Sequence, residues 1–499
     1  MIARCIAPGK VRNKVPSPER APHLRLLRSV GAEHFAARSQ AVGLGFHITH
    51  LRCFSGLKAI TKGINMLYSY IRTGAIAFVL IAASTTIGLL SKTASTSTQN
   101  NQTHFKLDFG PGKVAPGYTQ VLPAMTYTKE RGYGFEPGGA VAGANGVVTG
   151  DKPFFFSVAL PEGNYNVTVA FGGAKQATRA TVKAELRRLM LEKVESAPGK
   201  FESRTFTVNV RAPQIAGGGE VKLKDREKTI ETWAWDEKLT LEFDGESPAV
   251  SVIEITPAEV PTIFLLGDST VCDQPLEPYS SWGQMLPRFF GPGVAVANHA
   301  ESGESLRSSL GARRLDKVLS LIKPGDYLFI QYGHNDQKEK GEGVGAFTTY
   351  KTDLKTFVGE ARKRGATPVL VTSVNRRNFN DRGEVYSTLG DYPEALRQVA
   401  REEKVALIDL NAMSKAFYEA LGPQRSALAF KEGDGTHHNN YGAYELARCV
   451  VEGIKANNLG VAKFLAKDAT AFDPGRPDPP ENFKIPASPM LSEVKPPGN

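Results

Sequence analysis

Cysteine is scarce in this sequence, and its scarcity excludes two common kinds of structural support. The 499 residues contain four cysteines, and Cys5 and Cys53 lie in an N-terminal segment that precedes the first strand-like pattern. The remaining two, Cys272 and Cys449, form neither a disulfide scaffold nor the C-x-x-C spacing of a metal site. Cys449 lies in an apolar helical stretch, which predicts a buried thiol.

Most of the chain also lacks an excess of charge of either sign. The whole sequence carries 61 basic and 51 acidic residues, a formal charge of +10, yet residues 1–72 hold 12 of the basic residues and only two of the acidic ones. Residues 73–499 therefore contain 49 of each sign and sum to zero. Since this neutral part has no motif that interleaves aromatic and basic residues, nucleic acid is not an expected partner.

A hydrophobic run of the length usual for a transmembrane helix is missing as well. The apolar stretch 74–90 is interrupted by a Ser-Thr-Thr run, and its most hydrophobic part, 75–83, has the length of a signal-peptide core. We interpret residues 1–99 as a basic leader with a signal peptide and linker, with translation beginning at Met66. Export to the periplasm, cell surface or medium is expected. The alternative is an uncleaved leader, which is the one expected route to a membrane.

Residues 100–258 carry the pattern of an all-β domain. Apolar and polar residues alternate strictly along 165–171, 206–210 and 239–243, with glycine-rich breaks between such stretches. A period of two predicts strands with one buried and one exposed face, arranged as a sandwich. The stretch 184–192 has no clean alternation and stays open between strand and helix.

Residues 259–460 carry a different pattern. Three apolar runs have the composition of strands buried on both faces: 263–266, 327–330 and 369–371. Three helix-like stretches follow or separate them: 354–364, 392–404 and 441–456. Alternating strands and helices predict a parallel sheet with helices on both sides. Residues 461–499 contain eight prolines between Pro474 and Pro497, so we expect a tail that is extended on the surface or disordered.

Four polar segments of this second region follow strand-like runs or precede the last helix. Ser269 stands in Gly-Asp-Ser-Thr at the exit of the first run, the edge where parallel α/β proteins place their sites. A serine hydroxyl is a weak nucleophile, so it requires a base, an acid that orients the base, and donors for the oxyanion. Gly303 and Asn335, in loops after later runs, offer a bare backbone N–H and a side-chain NH₂. Asp434 and His437, three residues apart, offer the acid and the base.

Each of these segments alone is a weak signal, because Gly-Asp-Ser and Asp-x-x-His are commonly turns or helix caps. Their order decides the interpretation: three strand-exit loops are followed by Asp-x-x-His before the last helix of one α/β region. No Gly-x-Ser-x-Gly elbow, Walker loop or His-Glu-x-x-His zinc motif competes. The pattern favours a serine nucleophile with a histidine base.

Together the segments resemble the four blocks of the GDSL/SGNH hydrolases, across residues 262–456: Gly267-Asp268-Ser269, Gly303, Gly333-His334-Asn335-Asp336 and Asp434-x-x-His437. Within that superfamily the sequence is most similar to the rhamnogalacturonan acetylesterase branch, through Gly-Asp-Ser-Thr, Ser281-Trp282-Gly283 and Asp-Gly-Thr-His. Residues 100–258 resemble the galactose-binding-like sandwich that often precedes such esterases, notably at 105–110 and 132–135. The resemblance implies a flavodoxin-like three-layer α/β/α hydrolase domain preceded by an all-β jelly-roll sandwich.

The same resemblance implies a role for each matched residue. Ser269 would be the nucleophile, His437 the general base and then the acid for the leaving alcohol, and Asp434 the group that fixes the imidazole. The oxyanion would be held by the backbone N–H groups of Ser269 and Gly303 and by the amide of Asn335. The chemistry would need no metal and no cofactor.

Other histidine and aromatic side chains near these segments have two readings each. Trp282 is a tentative substrate contact that would stack on a sugar face, or it packs in the core. His334 is a second tentative substrate contact, although loop hydrogen bonding is the favoured reading of His299 and His334. His438 is a rival to His437 that spacing does not exclude, although Asp-x-x-His selects His437.

Two tryptophans in the first region have an equally open interpretation. Trp233 and Trp235 stand two apart in a predicted strand or its flank, so both side chains are expected to point the same way. An exposed pair would suit carbohydrate, whereas a buried pair would only add to a core.

The hypothesis drawn from the sequence is an exported carbohydrate esterase that removes acetyl groups from rhamnogalacturonan. Its expected partner is an acetylated polysaccharide or oligosaccharide, and the oligomeric state stays open. One alternative keeps the chemistry but changes the substrate to acetylated xylan or a lipid ester. Another is a carbohydrate-binding surface protein whose hydrolase domain is vestigial, against which the intact nucleophile, base and oxyanion donors argue.

Overall fold

A computed structural model describes residues 102–489, apart from residues 174 and 176. The interpretation of residues 1–99, with its signal peptide and its start at Met66, lies outside the described residues, as does the end of the proline-rich tail. Within the described range, no helix combines the length and the apolar character needed to cross a bilayer.

The first region is a sandwich of two sheets. In the described part of the chain its strands are β1 (Phe105–Phe109), β2 (Thr119–Val121), β3 (Tyr133–Phe135), β4 (Val141–Ala144), β5 (Val147–Gly150), β6 (Phe154–Ala159), β7 (Gly163–Phe171), β8 (Thr178–Ala184), β9 (Arg188–Ser196), β10 (Glu202–Val210), β11 (Lys238–Ser247) and β12 (Ala249–Pro257). One sheet has the order β10-β7-β12-β1-β2, with β5 paired to β12 and to β4, and the other has the order β3-β6-β11-β8-β9. The all-β prediction is confirmed.

The alternating side chains of these strands fill the space between the two sheets. Along β7 the residues Tyr165, Val167, Val169 and Phe171 are buried and their neighbours are half-buried. The rings of Phe109, Phe135 and Phe156 meet edge to face inside the sandwich, with centroids 5.0 to 6.1 Å apart. Burial of such aromatic side chains is a large part of what stabilises a sandwich core.

The ambiguous stretch 184–192 is mostly strand, since it contains the end of β8, a tight turn at residues 185–187 and the start of β9. Glu185 and Arg187 have φ angles of 58° and 59° in the left-handed region, which reverses the chain between β8 and β9. Both side chains are buried, together with Leu186. Apolar and polar residues do not alternate here, because the second region covers the turn and buries side chains that would otherwise face solvent.

A long connection between β10 and β11, here called the crossing loop (residues 211–237), also leaves the sandwich. It contains a 3-10 turn at Thr232–Ala234, so the prediction that Trp233 and Trp235 lie side by side in a strand is wrong. Trp235 is buried beside the guanidinium of Arg211, whereas Trp233 is only partly buried and packs against Phe155. The pair therefore forms no exposed platform for a sugar.

The second region is built on one parallel sheet. Its strands are β13 (Thr262–Gly267), β14 (Ala295–Asn298), β15 (Tyr327–Gln331), β16 (Thr367–Val371) and β17 (Ala406–Ile408). Their order is β14-β13-β15-β16-β17 and all neighbouring pairs are parallel. In chain order this is 2-1-3-4-5, the flavodoxin-like arrangement, with its switch point beside the carboxyl end of β13. The predicted fold class is confirmed.

Helices cover both faces of this sheet. They are α1 (Trp282–Met285), α2 (Leu306–Gly311), α3 (Arg314–Leu319), α4 (Lys351–Lys363), α5 (Tyr392–Glu403), α6 (Leu410–Arg425, kinked at Gly422) and α7 (Asn440–Ala456). Shorter turns lie at Leu286–Phe289, Asp336–Lys338, Ala346–Tyr350, Ser426–Ala429, Gly460–Phe464 and Pro480–Asn482. Side chains of α1, α6 and α7 share one core with Ile263 and Leu265 of β13, whereas those of α2 to α5 share the other with Phe264 and Leu266. Successive residues of one strand thus face opposite helix layers.

The proline-rich tail is more buried than the sequence predicted. Phe472 and Ser488 are buried, and the Ser488 hydroxyl donates to Glu242 of β11 at 2.7 Å and accepts from Lys183 of β8 at 2.9 Å. The Ser488 backbone N–H donates to Glu277 at 2.9 Å. The described tail therefore returns to the sandwich, because its polar groups satisfy charges that are buried between the two regions.

Candidate active site

Ser269 lies in a tight turn at the carboxyl end of β13. A Cβ on Gly267 would come within 2.7 Å of the backbone oxygen of Gln331 on the neighbouring strand, so glycine is required there. Oδ1 of Asp268 accepts from the backbone N–H of Thr270 at 2.9 Å and from its hydroxyl at 2.8 Å. This turn holds the Ser269 side chain at the edge where the sheet opens its switch point.

The Ser269 hydroxyl is the end of a hydrogen-bonded chain of three side chains. Nε2 of His437 lies 2.9 Å from Oγ of Ser269, and Nδ1 of His437 lies 2.9 Å from Oδ2 of Asp434. Burial alone would raise the pKa of Asp434, but its hydrogen bond to His437, the charge on that ring, and the backbone N–H groups of Thr436 and His437 together lower it. An ionised Asp434 accepts from Nδ1, which leaves Nε2 free to accept the Ser269 proton.

The neighbouring His438 points the other way. Its Nε2 lies 2.7 Å from the hydroxyl of Tyr418, and its ring packs on Phe430 with centroids 4.3 Å apart. Burial, together with the charge of His437, lowers the pKa of His438 to about 3. Of the two adjacent histidines, only His437 therefore reaches Ser269.

The two remaining oxyanion candidates lie next to one another. Gly303 belongs to residues 301–304, here called the Gly303 loop, and has a φ of +78° that favours glycine. The Asn335 side-chain NH₂ donates to the backbone oxygen of Glu304 at 2.9 Å, so its amide is tied to the residue after Gly303. One donor of this kind typically stabilises a transition state by about 2.7–4 kcal/mol.

Comparison with known proteins now agrees with both halves of the fold. The family described as GDSL-like Lipase/Acylhydrolase matches residues 265–444. Rhamnogalacturonan acetylesterase RhgT of Bacillus subtilis is 43% identical over 218 residues, which cover 41% of this chain and 93% of that protein. The chain belongs to this GDSL-like family. It is an esterase by that membership, as the sequence predicted.

The sandwich also has matched relatives. A domain described as Beta-agarase/YXIM esterase-like, galactose-binding domain-like matches residues 105–202 of this esterase. The uncharacterized esterase YxiM of Bacillus subtilis is 31% identical over 378 residues, covering 72% of this chain and 92% of that protein. A crystal structure of YxiM is 28% identical, covers 72% of this chain and 99% of that chain, and has a TM-score of 0.41. The match to the galactose-binding-like domain over residues 105–202 confirms that resemblance.

Neither tentative substrate contact of this esterase is accessible to a sugar. Trp282 is 1% exposed and its indole N–H donates to Oε1 of Gln331 at 2.8 Å, so the prediction that it stacks on substrate is wrong. His334 is also 1% exposed, and its Nδ1 lies 3.2 Å from Oδ2 of Asp268. Trp282 packs in the hydrophobic core with Leu265 and Val271, whereas His334 is tied to Asp268 in the turn that carries Ser269.

His299 departs from its predicted role in another way. Among the described residues, neither of its ring nitrogens has a hydrogen-bond partner. Its ring is buried between Trp235 of the crossing loop and Phe264 of β13, with both centroids 5.8 Å away. Burial and four nearby basic side chains hold its pKa well below the ordinary value, so the imidazole is neutral. The prediction that it forms loop hydrogen bonds is therefore wrong.

One group of acids in the described residues has the spacing to hold a cation. Carboxylate oxygens of Glu227, Glu231 and Glu301 lie within 4.8 Å of one another, and all three side chains are buried. Arg314 pairs with Glu227, and Arg226 pairs with both Glu231 and Glu301. Two guanidinium groups thus already neutralise most of this negative charge.

The residues that contact the backbone of Ser269 and the ring of His437 were not identified from the sequence. The Gln274 side chain donates to the backbone oxygen of Ser269 at 2.8 Å, and the Tyr279 ring packs edge-on against His437 at 5.9 Å. Arg187, in the turn between β8 and β9, donates to the backbone oxygens of Gln274 at 3.0 Å and Tyr279 at 2.9 Å. No motif marks these residues, and only the nearness of Gln274 to Ser269 in the sequence could have drawn attention to one of them.

Proposed function

We propose that this esterase is exported and removes acetyl groups from rhamnogalacturonan through an acyl-enzyme on Ser269. The observation that carries the proposal is the hydrogen-bonded chain from Asp434 through His437 to Ser269, with both steps at 2.9 Å. The Gln274 side chain donates to the backbone oxygen of Ser269 at 2.8 Å and to the hydroxyl of Ser302 at 3.3 Å. This link supports Gly303, which follows Ser302, and the Asn335 amide, which is tied to Glu304, as the proposed oxyanion donors. This is the set of groups that acyl transfer to a serine requires.

The reaction follows from this geometry in two steps. Oγ of Ser269 attacks the acetyl carbonyl carbon as its proton passes to Nε2 of His437, and the negative oxygen is held by the oxyanion donors. The C–O bond to the sugar then breaks, His437 protonates the leaving hydroxyl, and an acetyl-enzyme remains. Water then attacks the acetyl carbon as His437 takes its proton, the bond from that carbon to Oγ of Ser269 breaks, and His437 returns the proton to Oγ as acetate leaves. Asp434 stays ionised throughout and stabilises the imidazolium.

Two kinds of similarity support the choice of substrate and location. RhgT, a rhamnogalacturonan acetylesterase by name, shares 43% of its residues with this chain over 218 positions. The leader-like composition of residues 1–99 supports export, which fits a substrate too large to enter a cell. The N-terminus of the protein recovered from culture medium or periplasm, read by mass spectrometry, tests the export; an intact N-terminus in the membrane fraction would contradict it.

Acetate release from a panel of acetylated polysaccharides tests the substrate. Acetylated rhamnogalacturonan should release acetate fastest, with acetylated xylan and lipid esters slower, because the sequence similarity is to rhamnogalacturonan esterases. Ser269→Ala, which removes only the nucleophilic oxygen, is the matched control and should release none. Faster acetate release from xylan or a lipid ester would mean that rhamnogalacturonan is not the preferred substrate. Turnover by Ser269→Ala equal to that of the wild type would refute the mechanism.

A further inference from the structure

The Gly303 loop is held by a lysine from outside the hydrolase region. Nζ of Lys224, in the crossing loop, donates to the backbone oxygen of Ser302 at 2.6 Å and lies 3.0 Å from Oε1 of Glu304. These two residues flank Gly303 on either side. One ammonium group therefore holds the backbone on one side of the candidate oxyanion donor and a side chain on the other side.

The rest of this contact is a buried network of charges. Arg314 is fully buried and donates to both carboxylate oxygens of Glu227, at 3.0 and 2.7 Å, while its Nε lies 3.5 Å from Glu304. Arg226 lies 3.6 Å from Glu301, at the start of the Gly303 loop, and also pairs with Glu231. The crossing loop thus meets the Gly303 loop through ion pairs along its whole length.

The hydrolase region alone provides few cations for the two buried acids of this loop. Glu301 and Glu304 are both buried, and Arg314 is the hydrolase cation that lies within 4.0 Å of either one among the described residues. Glu304 pairs with Lys224 and Arg314, and Arg314 is shared with Glu227. Burying a charge with too few partners is strongly unfavourable, so the loop should move toward solvent without Lys224. Such a movement would carry Gly303 with it. It would also carry the backbone oxygen of Glu304, which anchors the Asn335 amide.

We propose that Lys224 of the crossing loop is a positioning residue for ester hydrolysis, because it holds the Gly303 loop where its backbone N–H meets the oxyanion. The inference rests on the proposed function, since it takes the oxyanion role of Gly303 from it. It adds that the galactose-binding-like region completes the active site. The sandwich is then a structural part of the esterase.

The test compares Lys224→Met with Lys228→Met in the full-length protein. Lys228 is an exposed lysine four residues further along the same loop, so its replacement controls for a lost surface charge. With an aryl acetate, Lys224→Met should lower kcat roughly 10- to 100-fold and change KM less than about twofold, a part of the loss seen when an oxyanion donor is deleted. Lys228→Met should keep the wild-type kcat. Equal kcat for Lys224→Met and the wild type would overturn the proposal.

A second readout separates this proposal from the choice of substrate. The rate at which a fluorophosphonate labels Ser269 depends on the same oxyanion donors and needs no sugar, so it should fall in parallel with kcat in Lys224→Met. If the wild type deacetylates no polysaccharide yet Lys224→Met slows labelling, the substrate proposal fails and the positioning role stands. If labelling is unchanged, the positioning role fails even where polysaccharide is a substrate.

A milder variant covers the case in which Lys224→Met does not fold. Lys224→Gln keeps a donor for the Ser302 oxygen and removes the charge that pairs with Glu304. It should retain the wild-type melting temperature within a few degrees and show an intermediate labelling rate. A melting temperature and a labelling rate both equal to those of the wild type would show that the charge of Lys224 does not position the loop.

Discussion

Two aspartate–histidine pairs flank Ser269, and they differ in one contact. In both pairs Nδ1 of a buried histidine faces a carboxylate oxygen, at 2.9 Å between His437 and Asp434 and at 3.2 Å between His334 and Asp268. Nε2 of His437 lies 2.9 Å from the serine hydroxyl, whereas Nε2 of His334 has no hydrogen-bond partner among the described residues. A carboxylate behind a histidine makes a base only where the second ring nitrogen meets a nucleophile.

The aspartates of the two pairs also differ in what else they hold. Burial alone would raise the pKa of Asp268, but His334 and the two groups of Thr270 lower it below the ordinary range. Asp268 therefore uses its charge to close the turn that carries Ser269. Asp434 accepts from the backbone N–H groups of Thr436 and His437 in its own segment. One pair is suited to proton transfer and the other to fixing the backbone.

The largest expected effect separates the two histidines. His437→Ala should lower kcat for an aryl acetate by about 10⁵- to 10⁶-fold, because the serine loses its proton acceptor. His334→Ala is the matched control and should lower kcat less than about 100-fold, because the His334 ring is hydrogen-bonded to Asp268 of the turn and lies outside the chain from Asp434 to Ser269. The two variants are compared by steady-state kinetics at pH 7. Losses of equal size would mean that both histidines take part in proton transfer.

The next effect separates the two aspartates. Asp434→Asn should lower kcat about 10⁴-fold, because an amide favours the wrong imidazole tautomer. Asp268→Asn should lower kcat far less, while both variants should lose about 1–3 kcal/mol of unfolding free energy, since the hydrogen bonds to the charge weaken in each. Kinetics and urea unfolding of both variants check the contrast. A larger loss of kcat in Asp268→Asn than in Asp434→Asn would mean that the roles of the two aspartates are exchanged.

The sequence was sufficient for the elements that follow from a local pattern. Ser269, Gly303 and Asn335 each follow a strand-like run, and parallel strands bring their carboxyl ends to one edge of a sheet, so their meeting could be expected. Asp434 and His437 could be expected to meet because they are only three residues apart in the sequence.

Contacts between distant segments were out of reach of the sequence. Arg314 and Glu227 are 87 residues apart, and Ser488 and Glu242 are 246 apart, yet both contacts are buried. A charged residue is ordinarily assigned to the surface, because burial is stable only when a partner arrives from elsewhere in the fold. The prediction of substrate contact by Trp282 was wrong for a related reason, since its hydrogen-bond partner Gln331 lies on a distant strand.

The smallest expected effect is a change in stability with pH that comes from His438, whose ring is paired with a tyrosine and not with an aspartate. His438 pairs with the Tyr418 hydroxyl, and burial first and the charge of His437 second lower its pKa to about 3. The unfolded chain binds a proton there near pH 6.5 and the folded chain does not, so the folded state should lose stability as the pH falls below 6.5. For one histidine this loss is about 2 kcal/mol between pH 7 and pH 5.

His438→Asn isolates that contribution from the other titrating groups. Urea unfolding of the wild type and of His438→Asn at pH 7, 6 and 5 should show a stability difference that narrows as the pH falls, because only the wild type carries the penalty. The kcat for an aryl acetate should stay within about tenfold of the wild type, since Ser269 keeps His437 as its base. A difference that stays constant across this range would mean that His438 is protonated in the folded enzyme, as a histidine with a carboxylate partner can be.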